Sequence, residues 1–69
     1  MSRFRVFQGH EVKGRDANVE RDIALNLEHV VAAKKVFMGN EEERVEVLMR
    51  SGSRFVVEKT LKEFMLIFD

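Results

Sequence analysis

Arg44-Val45-Glu46-Val47-Leu48-Met49-Arg50, Ser51-Gly52-Ser53 and Arg54-Phe55-Val56-Val57-Glu58-Lys59 read as a β-hairpin: two β-rich runs with period-two alternation, joined by a glycine turn. Parity selects the loop, because cross-strand partners share a face and a one-residue slip sends every side chain to the other side. A three-residue loop at Ser51-Gly52-Ser53 pairs Met49 with Phe55 and Val47 with Val57. It keeps Val45, Val47, Met49, Phe55 and Val57 on one apolar face, whereas a two-residue loop at Ser51-Gly52 would set Met49 against Arg54 and Val47 against Val56. The odd loop is the expected one. Leu48 and Val56 then pair on the opposite face, which implies that this second face is partly covered too.

Downstream of the hairpin, Thr60-Leu61-Lys62-Glu63 has the pattern of a capping box, so a helix is expected to start there. Leu61, Phe64, Met65 and Phe68 form an i, i+3, i+4, i+7 stripe suited to packing on a sheet, while Leu66 and Ile67 lie off it. A short helix that is apolar nearly all round is covered on more than one side. In a small chain a second subunit can supply that cover, which makes Leu66, Ile67 and Phe68 the candidate self-association residues. The competing assignment makes Phe64 to Phe68 a final strand.

Upstream, Val30 to Met38 is β-rich at both ends, and Gly39-Asn40 is a turn signal before the acidic run Glu41-Glu42-Glu43, which reads as a solvated loop. Arg3-Phe4-Arg5-Val6-Phe7 alternates with period two, sets Phe4 on a face free of charge and reads as a half-buried strand that Gly9 ends or bends. From His10 to Asp22 the chain is polar, with Gly14, Asp16 and Asn18 as turn formers. Ile23, Leu25 and Leu27 alternate again, although Asn26-Leu27-Glu28-His29 could instead make one helical turn; residues 10–29 are thus the least determined part of the sequence.

The chain has 69 residues, enough for one domain over 1–69 and no more. A domain of this size buries roughly 60% of the surface its unfolded chain exposes. With no cysteine there is neither a disulfide nor a thiolate zinc site, so added stability has to come from packing or oligomerisation. Twelve basic and twelve acidic residues cancel, which removes any global field toward nucleic acid or an anionic membrane. Met1 to Phe7 lacks the apolar core of a signal peptide and no apolar run approaches a membrane span, so a cytoplasmic protein without membrane contact is expected.

Residues that could carry chemistry are few. His10-Glu11 and Glu28-His29 are the neighbouring histidine and carboxylate groups, but adjacent residues on a strand point to opposite faces and no helical i, i+4 histidine pair exists. Ser2, Ser51 and Ser53 sit at a terminus and in a turn, outside any nucleophile-elbow context. Gly9, Gly14, Gly39 and Gly52 are far apart and make no phosphate-cradling loop. No catalytic residue, cofactor site or metal site is assigned. Arg3, Arg5, Lys13, Arg15, Arg50 and Arg54 form a candidate basic patch for phosphate contacts, with Lys34 and Lys35 nearby in type. Basic gatekeepers on strand edges are the competing role. Met38, Met49 and Met65 read as core filler.

Asn26-Leu27-Glu28-His29-Val30-Val31, then Val45 to Ser53, then Val56-Val57-Glu58-Lys59-Thr60-Leu61-Lys62-Glu63 together resemble the small flagellar FlbD-like proteins in the order of their features. The strand, strand and helix order is also similar to the first half of LytTR DNA-binding domains. The chain departs from the first pattern in its longer polar segment from Gly9 to Asp22, and from the second in lacking the remaining half. The resemblance implies a small non-enzymatic regulatory or accessory protein.

The sequence therefore leads to an α+β domain, a three- to four-stranded, mainly antiparallel sheet with a C-terminal helix packed on one face. Its expected role is a protein-interaction, assembly or regulatory module that forms a homo-oligomer or meets another protein. A nucleic-acid-binding regulator is the alternative.

Overall fold

A computed structural model describes residues 3–12, 21–39 and 41–68. Five strands are present: β1 (Phe4–Glu11), β2 (Arg21–Asn26), β3 (Val30–Met38), β4 (Glu42–Met49) and β5 (Arg54–Val57), followed by helix α1 (Leu61–Leu66). They make one antiparallel sheet in the order β2-β1-β5-β4-β3. The class is as expected from the sequence, but the strand count is five rather than three or four. The ambiguity over residues 23–29 resolves into both options in succession, because β2 ends at Asn26 and Leu27–His29 forms a 3-10 turn. The Asn26 side chain accepts from the Glu28 N–H at 3.0 Å, which caps that turn. Lys13 to Glu20 lie outside the described residues.

β2 and β3 are the two edges of the sheet, yet only Leu27–His29 separates them. In a flat sheet, four inter-strand gaps of about 4.8 Å would hold the edges roughly 19 Å apart, farther than a single 3-10 turn reaches at about 2 Å per residue. The sheet therefore curls until its edges meet at this turn. Two hydrogen bonds fix the curl: Leu27 N–H donates to the Arg3 carbonyl and Arg50 N–H to the His29 carbonyl, both at 2.8 Å.

Gly9 makes the bend in β1. Residues 4–9 pair with β2, whereas residues 9–11 pair with β5, so the strand changes partner at Gly9. A Cβ there would stand 2.1 Å from the Val56 carbonyl oxygen and 3.0 Å from the Val57 Cα, so only glycine allows β1 to approach β5 this closely. Gly9 bends the strand without ending it.

The concave face holds the core: Phe7, Leu25, Leu27, Val45, Val47, Val57 and Phe64, with Met49, Phe55, Leu61, Ile67 and Phe68 packed against it. Each fully buried side chain of this kind contributes about 1.5–3 kcal/mol. The rings of Phe7 and Phe64 lie 5.5 Å apart and those of Phe64 and Phe68 5.3 Å apart in an edge-on arrangement.

The hairpin forms with the expected face but a different register. Val45 pairs with Val57, Val47 with Phe55 and Leu48 with Arg54, and Met49 N–H donates to the Ser53 carbonyl at 2.9 Å. The loop is thus Arg50-Ser51-Gly52, one residue earlier than expected. Gly52 explains the shift: at φ +97° it takes the left-handed position that ends a three-residue hairpin loop. Because the length stays odd, the register slips by two and the core face survives. Val56 is buried on the other face opposite Glu46, not Leu48.

The capping box is present as expected, with Glu63 N–H donating to Thr60 Oγ1 at 3.1 Å and Thr60 N–H to Glu63 Oε1 at 2.9 Å. The stripe is not. Met65 is exposed, while Ile67 packs on the core beside Leu61, Phe64 and Phe68. The helix ends at Leu66 and continues with i→i+3 bonds, Ile67 N–H to the Phe64 carbonyl and Phe68 N–H to the Met65 carbonyl, both 3.1 Å. Three residues per turn bring Leu61, Phe64 and Ile67 onto one side.

Candidate functional site

The structure leaves apolar side chains in water at three places. On β1, Phe4 and Val6 are 59% and 67% exposed, because the strand's core face carries Phe7 and Gly9. The apparent apolar face of Arg3 to Phe7 is therefore the outer one, reversing the expectation for Phe4. On edge strand β3, Val31 and Phe37 are both 62% exposed and Met38 is open as well. On α1, Leu66 and Met65 point outward. Met38 and Met65 are thus not core filler, and Met49 is.

Of the candidate self-association residues, Leu66 alone faces solvent fully; Ile67 and Phe68 are half-buried against the core. The β-rich run expected at Val30 to Met38 is β3, and what marks it as an edge is the alanine and lysine centre of Val30-Val31-Ala32-Ala33-Lys34-Lys35-Val36-Phe37-Met38. Two small and two charged residues mid-strand are the composition of an edge, not of a buried strand.

β3 is long for an edge. It pairs along one side with β4 from Val30 to Met38, with a bulge between Val30 and Ala32, and among the described residues no strand lies on its other side. Its outer face continues into a charged row. Lys34 Nζ lies 3.3 Å from Glu46 Oε1, and Arg54 Nη1 lies 3.6 Å from Glu46 Oε2. One carboxylate, mostly covered, thus serves two exposed cations.

Of the described candidate basic residues, the backbones of Arg3 and Arg50 flank one 3-10 turn, while Arg54 is tied to Glu46 on the outer face. Arg5 pairs with Leu25 near one end of β1, while Arg54 accepts through its carbonyl from Val12 N–H just past the other end. Arg3 and Arg50 meet opposite ends of the 3-10 turn, with Glu28 between them in sequence. Arg54 is engaged by Glu46, and Lys13 and Arg15 lie outside the described residues.

A cleft of about 220 Å³ opens beside the end of β2 and is lined by Asn26, His29, Met49, Ser51, Ser53 and Phe55, among others. Its polar groups are committed locally: Asn26 caps the 3-10 turn, and the Ser51 hydroxyl donates to Ser53 Oγ at 3.2 Å. Among the described residues no three His, Asp or Glu side chains converge as a metal site, and no helix is long and apolar enough to cross a membrane.

No protein-family model, curated protein or solved structure matches this chain. The functional reading thus rests on the free edge, the outward apolar side chains and the charges between them.

The acidic run has a role that its composition hides. Glu42 and Glu43 belong to β4 instead of a loop, and Glu43 reaches the start of α1. Glu42 Oε1 accepts from Arg44 Nη2 at 3.3 Å.

Proposed function

We propose that this chain is a non-enzymatic protein-interaction and assembly module that associates with itself through the free edge of β3. The observation that carries this reading is a nine-residue edge strand with Val31 and Phe37 each 62% exposed. An edge strand presents unpaired backbone donors and acceptors, and apolar side chains along it make strand addition favourable. Leu66, on the outer side of α1, is the accessory contact. A cytoplasmic setting belongs to the same reading. A small accessory role of this kind is also what the resemblance to FlbD-like proteins implies.

The nucleic-acid alternative has less support. Two exposed cations on the outer face, Lys34 and Arg54, share Glu46. Light scattering over a concentration series at low and high salt separates the two. The expected mass rises above the 8.1 kDa chain with concentration and persists at high salt. A monomer at every concentration overturns the assembly reading, and steeply salt-dependent nucleic-acid binding by that monomer would favour the alternative.

A further inference from the structure

We infer that the associated form is a closed dimer in which β3 meets β3 of a second copy, antiparallel, about a two-fold axis at Ala33; this deepens the self-association reading above and rests on it. The ladder inside the sheet decides which backbone groups the edge offers. Met49 N–H donates to the Ser53 carbonyl, so in the alternation of an antiparallel pair Met49, Val47 and Val45 turn their backbone groups toward β5. Leu48, Glu46 and Arg44 then turn theirs toward Ala32, Lys34 and Val36 on β3. The N–H and C=O groups of Ala33, Lys35 and Phe37 are left aimed at the open edge.

Charge selects the register. A two-fold axis normal to the sheet passes through one residue, which meets itself, and keeps like faces together. An axis at Ala33 overlaps residues 30–36, one at Lys34 residues 30–38 and one at Lys35 residues 32–38; any other overlaps less. At Lys34 or Lys35 the axis sets an ammonium directly against its own copy, with Cα atoms about 4.5 or 5.5 Å apart, an unfavourable cross-strand pair. Glu46 does not remove that charge, because Lys34 and Arg54 share it. The axis at Ala33 sets methyl against methyl, faces Lys34 with Ala32 of the copy and moves the two Lys34 to a diagonal of roughly 7–8 Å. Each Ala33 N–H then donates to the carbonyl of the other. Val31, 62% exposed, comes beside the aliphatic stem of the second Lys35, and Val36 meets Val30. The bulge between Val30 and Ala32 falls at the two ends of the overlap, where the strands already part. One edge serves both copies, so the contact needs no second patch and stops at two.

The chain has no cysteine, so single introduced cysteines report the axis. In A33C the two Cα atoms stand about 5.5 Å apart across the axis, within the span of a disulfide, whereas in A32C they stand roughly 7–8 Å apart, beyond it. In a mild thiol-disulfide buffer, at a concentration where the unmodified chain associates, A33C is expected to close into a covalent dimer of twice the 8.1 kDa chain mass. A32C is expected to stay largely reduced, with circular dichroism checking the fold of both. Light scattering of the unmodified chain is expected to level off at the same doubled mass. A mass that climbs beyond two copies, or A33C closing no faster than A32C in an associated sample, overturns the two-fold at Ala33 and leaves self-association standing. A monomeric unmodified chain overturns both. Should A33C lose its fold, a mixture of A32C with K34C replaces it, since the register sets these positions directly opposite each other. A mixed disulfide between the two variants is then expected, and its absence in an associated sample overturns the register.

Discussion

The Glu43 carboxylate on β4 accepts a hydrogen bond at 2.9 Å from the backbone N–H of Leu61, the first residue of α1. The first N–H groups of a helix have no partner within it, and a six-residue helix has few bonds to hold it in place. Glu43 satisfies one of those groups from eighteen residues away in the chain and puts a negative charge at the positive end of the helix. Glu43→Ala is expected to lower stability by about 0.5–2 kcal/mol in urea unfolding. Glu43→Gln, which keeps an acceptor, should lose less. An unchanged midpoint for Glu43→Ala would show that the helix start is held by other means.

Glu63 predicts a pH dependence. The Thr60 N–H bonded to its carboxylate is the main reason its pKa lies below the ordinary glutamate value; desolvation opposes the shift, and the Thr60 side chain and Lys59 add to it. A carboxyl lowered on folding stabilises the fold above its unfolded titration range and loses that contribution as pH falls through the lower folded value. Stability measured between neutral pH and acid should therefore decline less steeply in Glu63→Gln than in the parent. A carbon-detected titration that places the Glu63 carboxyl above its unfolded value would contradict this assignment.

Gly9→Ala tests the bend in β1. The added methyl would meet the backbone oxygen of Val56, and neither strand can yield without breaking pairs to its neighbour. A loss of more than about 2 kcal/mol is expected. Gly39→Ala, where nothing stands within 4 Å of the added carbon, encounters no such collision and pays only for its positive φ. Equal costs at the two sites would remove the close approach as the reason for glycine at position 9.

The hairpin, the capping box and the helix were legible because each is a local pattern: parity across a turn, or a hydroxyl three residues ahead of a carboxylate. What the sequence left unread depends on partners distant in the chain. Phe4 and Val6 look like a core face until the pairing of β1 with β2 and β5 turns Phe7 and Gly9 inward, and Glu43 looks solvated until α1 returns to it. The hairpin register slipped by two because Gly52, with its positive φ, belongs at the end of the loop and not in its middle. Met65 and Ile67 exchanged places because the helix stops after Leu66 and tightens, which a uniform 3.6-residue period does not anticipate.

Leu66 and Ile67, adjacent in sequence, are expected to respond differently to the same substitution. Leu66→Lys should keep unfolding stability within about 0.5 kcal/mol, since the side chain is 62% exposed. Ile67→Lys puts an ammonium where the parent side chain packs against the core and should destabilise the fold directly. Thermal melts of both variants decide this, and a larger loss for Leu66→Lys would place that residue in the core.

The most direct test of the central claim is amide hydrogen exchange of β3 followed across a concentration series, with the amides of β4 and β5 as internal reference. Association through the β3 edge predicts that protection over Val30–Met38 rises with protein concentration more than protection in the central strands. Concentration-independent exchange in β3, in a sample whose mass does increase, would locate the contact elsewhere on the molecule and contradict the edge as the site of assembly.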